Sequence, residues 1–486
     1  ISASNSEGEG FVSIQHNTGV NPGNNKQAST VVYDNTIRNV FGVNVATTPD
    51  FSIGLYLQNV TNEVMITYNY FQGNNSFLPA GPNQNTMSEA IVLFGVRGTM
   101  AMPAWVYKNR VQSTRNSGIE VLSDEDILTG EGFTSRWINV RMNSIEACNS
   151  VNNDAQGGVE VTMNLDNRNS ATLRNQNIHV DNNVLKGNWN AGIVYNGTAS
   201  FDTDRRFTAN HNIFIDNRNP NTQDITAPLR NGVGAGIRHN NNDPFSFTPL
   251  ASPVDAGGNW WGSEAGPHHL DQSQLPMPHN TAPGNQEVRF DGNQPNVLSV
   301  YYSPWLRGYG AQGKTSPDDI ADDNLFPYDT TSWGFNNSAP KIYVVKELQS
   351  FVGQAEMGTR PEFHVTPPDM FPVPRISGPS AEGFVPPVEG YINKAVSLSK
   401  DNDTLELRAG TFQEVVQVSK ALYIRGPMAG VSASCSSTRD LNTPAGIRAE
   451  AKVVKGRFLS NPTQNSNQPS PIFDLFNKKI TLDGIS

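Results

Sequence analysis

"VYDNTI" (32–37), "ITYNYF" (66–71), "VYKNRV" (106–111), "VRMNSI" (140–145), "VDNNVL" (180–185) and "ANHNIF" (209–214) are one phrase repeated: an apolar residue, two residues, Asn, one residue, an apolar residue. "VDAGGNWW" (254–261) is a slightly longer seventh version. The asparagines, Asn35, Asn69, Asn109, Asn143, Asn183, Asn212 and Asn259, are spaced 34, 40, 34, 40, 29 and 47 residues apart. Between them recurs a second phrase, Gly followed by alternating apolar residues: "GLYL" (54–57), "GIEV" (118–121), "GVEV" (158–161), "GIVY" (192–195) and "GIR" (236–238), with "AIVLF" (90–94) in the same place.

Alternation with period two predicts strands with one face inward, and the Asn-, Gly-, Asp- and Pro-rich gaps predict turns. Strands this short cannot bury an apolar face alone, so each repeat must stack on its neighbours. The expected fold is therefore all-β, a parallel β-helix in which coils pair at about 4.8 Å spacing and inward residues form one apolar column. Asn suits the turn because it tolerates the left-handed region and its amide can bond to the Asn of the next coil.

Two further stretches carry a resemblance. "GGNWWGSEAGP" (257–267) followed by "VYYSPWL" (300–306) resembles the closing coil of secreted and surface proteins of the right-handed parallel β-helix, or pectin-lyase-like, superfamily. The resemblance implies that Trp260, Trp261 and Trp305 cover the apolar column where stacking stops. "IYVV" (342–345), "INKAVSLSKDNDTLELRAGTFQEVVQVSKALYIRGPMAGV" (392–431), with its Gly-Thr-aromatic-x-Glu turn at 410–414, and "IFDLFNKKITLDGIS" (472–486) resemble the opening of the same architecture: first strand, short helix, alternating strands and a following coil. A Pro-rich stretch, 360–387, departs from that pattern and reads as an insertion or exposed loop. The expected organisation is a β-helix body over 1–306, a linker over 307–340 and a β-helix start segment over 341–486.

The end of one β-helix thus precedes the start of another. Joining the extremities gives "KKITLDGIS" followed by "ISASNSEGEGFVSIQHN", a continuous alternating run. Three arrangements fit: identical subunits joining head to tail, one period of a longer repetitive chain, or a start segment folding back on the chain's own first coil. The stretch 307–340 permits the last, reaching about 110 Å extended against roughly 45 Å of column. In the first two, Ile480, Leu482 and Ile485 meet the strand from Phe11 to Ile14, and a heterologous contact of this kind builds rings or filaments. A plainer reading is a capping segment of unrelated purpose.

Composition narrows the function. With 16% charged residues and a formal net charge of −10 over 486 residues, the chain lacks the basic footprint of a nucleic-acid binder. No window of eighteen apolar residues predicts a membrane span. Cys148 and Cys435 form no metal or redox motif. The polar bulk suits an extracellular or cell-surface protein, and the leading expectation is a structural one that forms a fibre, sheath or layer, with no cofactor and no metal.

The rival expectation is a carbohydrate-active enzyme, a polysaccharide lyase or hydrolase, or a glycan-binding adhesin. Glycosidases need two carboxylates at a set separation. Candidate catalytic residues are Asp124, Asp126 and Asp154; other acidic positions are Glu125, Glu160, Asp166, Asp202, Asp204 beside Arg205 and Arg206, and Asp243. Glu160 is expected to be outward and exposed if Val159 and Val161 point in. His179, His211 and His239 fall next to coil asparagines and are expected in the turn ladder, whereas His268, His269 and His279 make a weak zinc set because adjacent residues on a strand point oppositely. Surface glycans are a further expected partner, stacking on Tyr56, Tyr107 and Trp137.

Overall fold

The computed structural model describes residues 12–15, 30–38, 53–61, 63–73, 87–125, 132–133, 135–149, 156–163, 176–196, 207–217, 234–240, 254–264, 266–269, 287–291, 300–307, 340–345, 391–414, 416–427, 429–430, 451–454, 473–475 and 479–485. The chain is a parallel β-helix. Three sheets run along it, and each coil contributes one strand to each in turn. The first sheet runs from Val12–Gln15 through Leu55–Gln58, Ile91–Phe94, Ile119–Glu125, Val159–Met163, Ala191–Asn196 and Ala235–Asn240 to Glu287–Asp291. The second runs from Thr30–Tyr33 to Val300–Tyr301, and the third from Thr36–Arg38 to Ile213–Ile215. The neighbouring strands along these runs pair parallel, for example Ile119 with Val159 and Val159 with Ile193, with one register shift between Ala235 and Ile237.

Alternation does what the sequence predicts. Leu55, Leu57, Ile119, Val121, Val159 and Val161 are buried in one continuous core that also contains the inward residues of the other sheets. Burying each such side chain fully contributes roughly 1.5–3 kcal/mol. The Gly at the start of most first-sheet strands has a steric cause. A Cβ at Gly118 would lie 2.8 Å from the Gly158 carbonyl and 2.9 Å from Cys148 Sγ, and one at Gly158 2.8 Å from the Gly192 carbonyl.

The asparagines form an unbroken ladder. Asn109 Oδ1 accepts the Asn69 backbone N–H and side-chain amide, both at 3.0 Å. The same doubled contact links Asn109 to Asn143, Asn143 to Asn183, and Asn183 to Asn212. Each Asn Nδ2 also donates to a backbone carbonyl, as Asn143 does to Val106 O at 2.9 Å. The left-handed conformation, however, is not on these asparagines. It falls on the residue before each one: Asp34, Tyr68, Lys108, Met142, Asn182, His211 and Gly258 all have φ between 53° and 71°. A second, shorter ladder closes the third sheet, where Asn188 Oδ1 accepts the Cys148 N–H and Asn217 Oδ1 accepts that of Asn188. Cys148 thus fills a ladder position as a buried free thiol, pushed up to about 11 by burial.

The column does not stop at the tryptophans. Trp260 bridges to Ile213, and Trp305 bridges to Asn259. Trp305–Leu306 then pairs, antiparallel, with Ile342–Val345. From there Thr404–Leu407, Tyr423–Arg425 and Thr481–Asp483 continue in parallel, flanked by the pairs Gly410–Gln413 with Ala451–Val454 and Val416–Val418 with Phe473–Leu475. These strands stack on the end of the body and share its core. Trp260, Trp261 and Trp305 are buried at the end of the body's stack, where Trp305–Leu306 meets Ile342–Val345. The fold-back arrangement does not occur: among the described residues the start segment pairs with 305–306, at the far end from Val12–Gln15.

Candidate functional site: the joint and an outward carboxylate row

The joint is built by one helix, α1 (Tyr391–Leu398), one strand and the last coil of the body. Val254–Asp255 belongs to the second sheet, and alternation turns Asp255 outward, in line with Thr208. An outward Asp would ordinarily be hydrated. Here α1 lies over it, and Lys394 Nζ sits 2.7 Å from Asp255 Oδ2, the two side chains only 6% and 2% exposed. The close approach needs the glycines of "GGNWW": a Cβ at Gly257 would lie 2.8 Å from Leu398 Cδ1, and one at Gly258 2.9 Å from His211 Cδ2.

His211 completes the joint from the body side. Its Nε2 is 3.2 Å from the Tyr343 hydroxyl, which is 3.1 Å from the Leu398 carbonyl. A hydroxyl that donates to that carbonyl must accept from Nε2–H, which places a proton on Nε2 of His211. Burial pushes His211 down to about 4, so it stays neutral at ordinary pH. Glu414, of the Gly-Thr-aromatic-x-Glu turn, orients α1 by accepting the N–H groups of Ile392 and Asn393, both at 3.0 Å. These are orphan donors of the first turn; burial pushes Glu414 up to about 7. At the rim, Arg307 reaches Glu406 at 2.9 Å and Glu264 at 3.2 Å, partly exposed contacts of small energetic weight.

On the outward face of the first sheet, Glu120 and Glu160 occupy the same register position on adjacent coils, about 4.8 Å apart along the stack. Glu160 is outward, as expected, but it is buried, not exposed. Ser117 Oγ and Thr162 Oγ1 each donate to it at 2.7 Å and Asn196 Nδ2 at 3.2 Å. Glu89, also buried, accepts from Asn116 Nδ2 at 2.7 Å. Burial raises all three carboxyls: Glu160 to about 7, Glu120 well above the usual range with the charges of Glu160 and Glu89 adding, and Glu89 upward against its hydrogen bonds. Like charges this close resist ionising together.

Of the expected catalytic candidates, only Asp124 lies among the described residues. Asp124 lies on Ile119–Glu125, opposite Phe133 in a short antiparallel pair. Asp126, Asp154, Asp166, Asp202, Asp204, Arg205, Arg206, Asp243, His279, Cys435 and Phe11 lie outside the described residues. Ile14 pairs with Leu57 and Leu482 with Ile424. Leu482 is 43% exposed, and Ile480 and Ile485 pack against the core. His211 stands in the turn, at the residue before Asn212; His239 lies buried against Tyr195, and His179 contacts Thr208 Oγ1 at 2.8 Å. His268–His269 pairs with Glu287–Asp291. Among the described residues no group of three or more His, Cys, Asp or Glu could hold a metal ion, and no helix is long and apolar enough to cross a membrane. Tyr56, Tyr107 and Trp137 are half-buried, and Lys108 lies 5.1 Å over the Tyr107 ring.

Glu120 could have been found in advance, since "GIEV" and "GVEV" place Glu at the same point of one repeat. Lys394 gave no such signal: nothing in "YINKAVSL" marks which face would lie on the preceding unit. No family model, curated protein or solved structure matches the chain.

Proposed function

We propose that this is an extracellular or cell-surface structural protein of the pectin-lyase-like superfamily, in which β-helical units stack end to end into a fibre, sheath or layer. The observation that supports this reading is the joint: the strands from Ile342 onward continue the body's core, held by the buried Lys394–Asp255 pair. In this scheme identical subunits, or successive periods of a longer chain, meet by the same principle where Ile480, Leu482 and Ile485 face the strand containing Phe11 and Ile14. Leu482 supports it, being exposed although it lies in register with buried Ile424. Electron microscopy and analytical ultracentrifugation across a concentration series test the reading: elongated end-to-end assemblies are expected, and Leu482→Asp should abolish them by placing a charge in the column. Monodisperse monomers at every concentration would overturn it.

A second reading, a carbohydrate-active enzyme, is favoured by the carboxylate row alone. Glu120 and Glu160 place two carboxyls, both raised by burial, side by side on an outward strand face. Turnover of a polysaccharide that falls at least a hundredfold in both Glu120→Gln and Glu160→Gln would establish it. Turnover unaffected by either change would remove it.

A further inference from the structure

The two faces of the joint are matched point by point. The body presents Asp255, the side-chain-free floor at Gly257 and Gly258, and the imidazole of His211. The start unit presents Lys394, Leu398 and Tyr343 to the same three places. These contacts join residues separated by 307–340, so nothing in the chain's local geometry imposes them. Removing one partner of a buried ion pair leaves an uncompensated charge, whereas removing both often costs little. The body face is therefore selective for a partner that brings a cation to the height of Asp255.

We infer that this end face is a portable receptor for the start of a β-helix, and that the 341–486 unit of a second copy can seat on it in place of the chain's own. Lys394 of the incoming copy supplies the recognition charge and Tyr343 the hydroxyl for His211. The connecting stretch, about 110 Å when extended, allows a start unit to be handed to a neighbour. This inference goes beyond the fibre reading, because it uses the joint at 255 and 394 and not the one at 480–485; absence of fibres would leave it standing.

The test uses the full chain with a protease site placed within 307–340 and cut after folding. The two pieces should co-elute in size-exclusion chromatography. When cut protein labelled with a donor fluorophore on the body is mixed with cut protein labelled with an acceptor on the start unit, energy transfer should develop as start units exchange. Lys394→Met should weaken retention roughly 100- to 1,000-fold. The same start unit should be held again, within about tenfold of wild type, by a body carrying Asp255→Leu. Immediate separation of the wild-type pieces, or co-elution without any label exchange over days, overturns the inference. So does equal retention of Lys394→Met. Exchange is read on wild-type protein, so the result is decisive even if a variant fails to fold.

Discussion

Met142 and Asn143 are consecutive residues that divide one turn between them. Met142 takes the left-handed backbone at φ 55°, and Asn143 supplies the inter-coil hydrogen bonds. Left-handed backbone costs an ordinary L-residue about 1 kcal/mol, which Gly avoids. At the corresponding position of the last coil stands Gly258. Met142→Gly should therefore raise stability by roughly 0.5–1 kcal/mol after the loss of its half-buried side chain, while Met142→Val should lower it. Urea unfolding midpoints check both; destabilisation by the glycine would show that Met142 packing outweighs backbone strain.

The ladder should be strongest in its interior. Asn143→Ala removes the acceptor used twice by Asn109 and the donor to Val106 O and Asn183 Oδ1, leaving buried groups unsatisfied at about 1–3 kcal/mol each. A loss of roughly 2–4 kcal/mol is expected. Asn35→Ala, at an exposed rung whose side chain bonds Asn69 and Tyr33, should cost about 1 kcal/mol or less. Equal losses at the two rungs would mean that burial does not set the ladder's strength.

How much of this was legible beforehand follows from which interactions repeat. The coil phrase and the strand alternation repeat, so the solenoid, its register and the Asn ladder could be read from the chain. The left-handed residue could not be assigned, because its identity changes at every coil: Asp34, Tyr68, Lys108, Met142 and Asn182 share a backbone angle and no side-chain chemistry. Glu160 was placed on the correct face with the wrong exposure, since burial there depends on Ser117 and Asn196 from two neighbouring coils. The joint at Trp305 was not legible for a related reason. A large aromatic at the end of a repeat looks the same whether it covers a column or passes it on, and Asp255–Lys394 joins two positions with no sequence relation.

Gly266 tests the joint from the tryptophan side. Its φ is +89°, and a Cβ there would meet the Trp305 indole at 2.7 Å. That indole donates to Glu264 O at 3.0 Å, and its strand pairs with Val344. Gly266→Ala combines backbone strain with a forced ring displacement, on the order of 2–4 kcal/mol. Thermal unfolding followed by tryptophan emission should show a lower midpoint and a red-shifted native spectrum. An unshifted spectrum with wild-type stability would mean that the indole has room to move without loosening the joint.

The carboxylate row predicts a pH dependence whose direction is set by desolvation. Glu160 has its folded-state value raised to about 7 from the ordinary 4.5. Between these values the folded state holds a proton that the unfolded chain has released, so stability falls as pH rises. The full contribution is present below about 4.5 and is lost by the time pH exceeds 7. Glu160→Gln keeps an uncharged group of the same shape beside Ser117, Thr162 and Asn196. The variant should match wild type near pH 4 and exceed it at pH 8, by an amount on the order of 3 kcal/mol. Glu120, raised for the same reason and by its charged neighbours, should behave alike, and the two substitutions should combine less than additively because each relieves the other's repulsion. His211 works in the opposite direction: lowered to about 4 by burial, it contributes stability above pH 6.5 that is lost as pH falls toward 4. Chemical denaturation at pH 4, 6 and 8 separates these effects. A Glu160→Gln variant less stable than wild type at pH 8 would show that the native carboxylate is ionised and held by its donors, contrary to the burial argument.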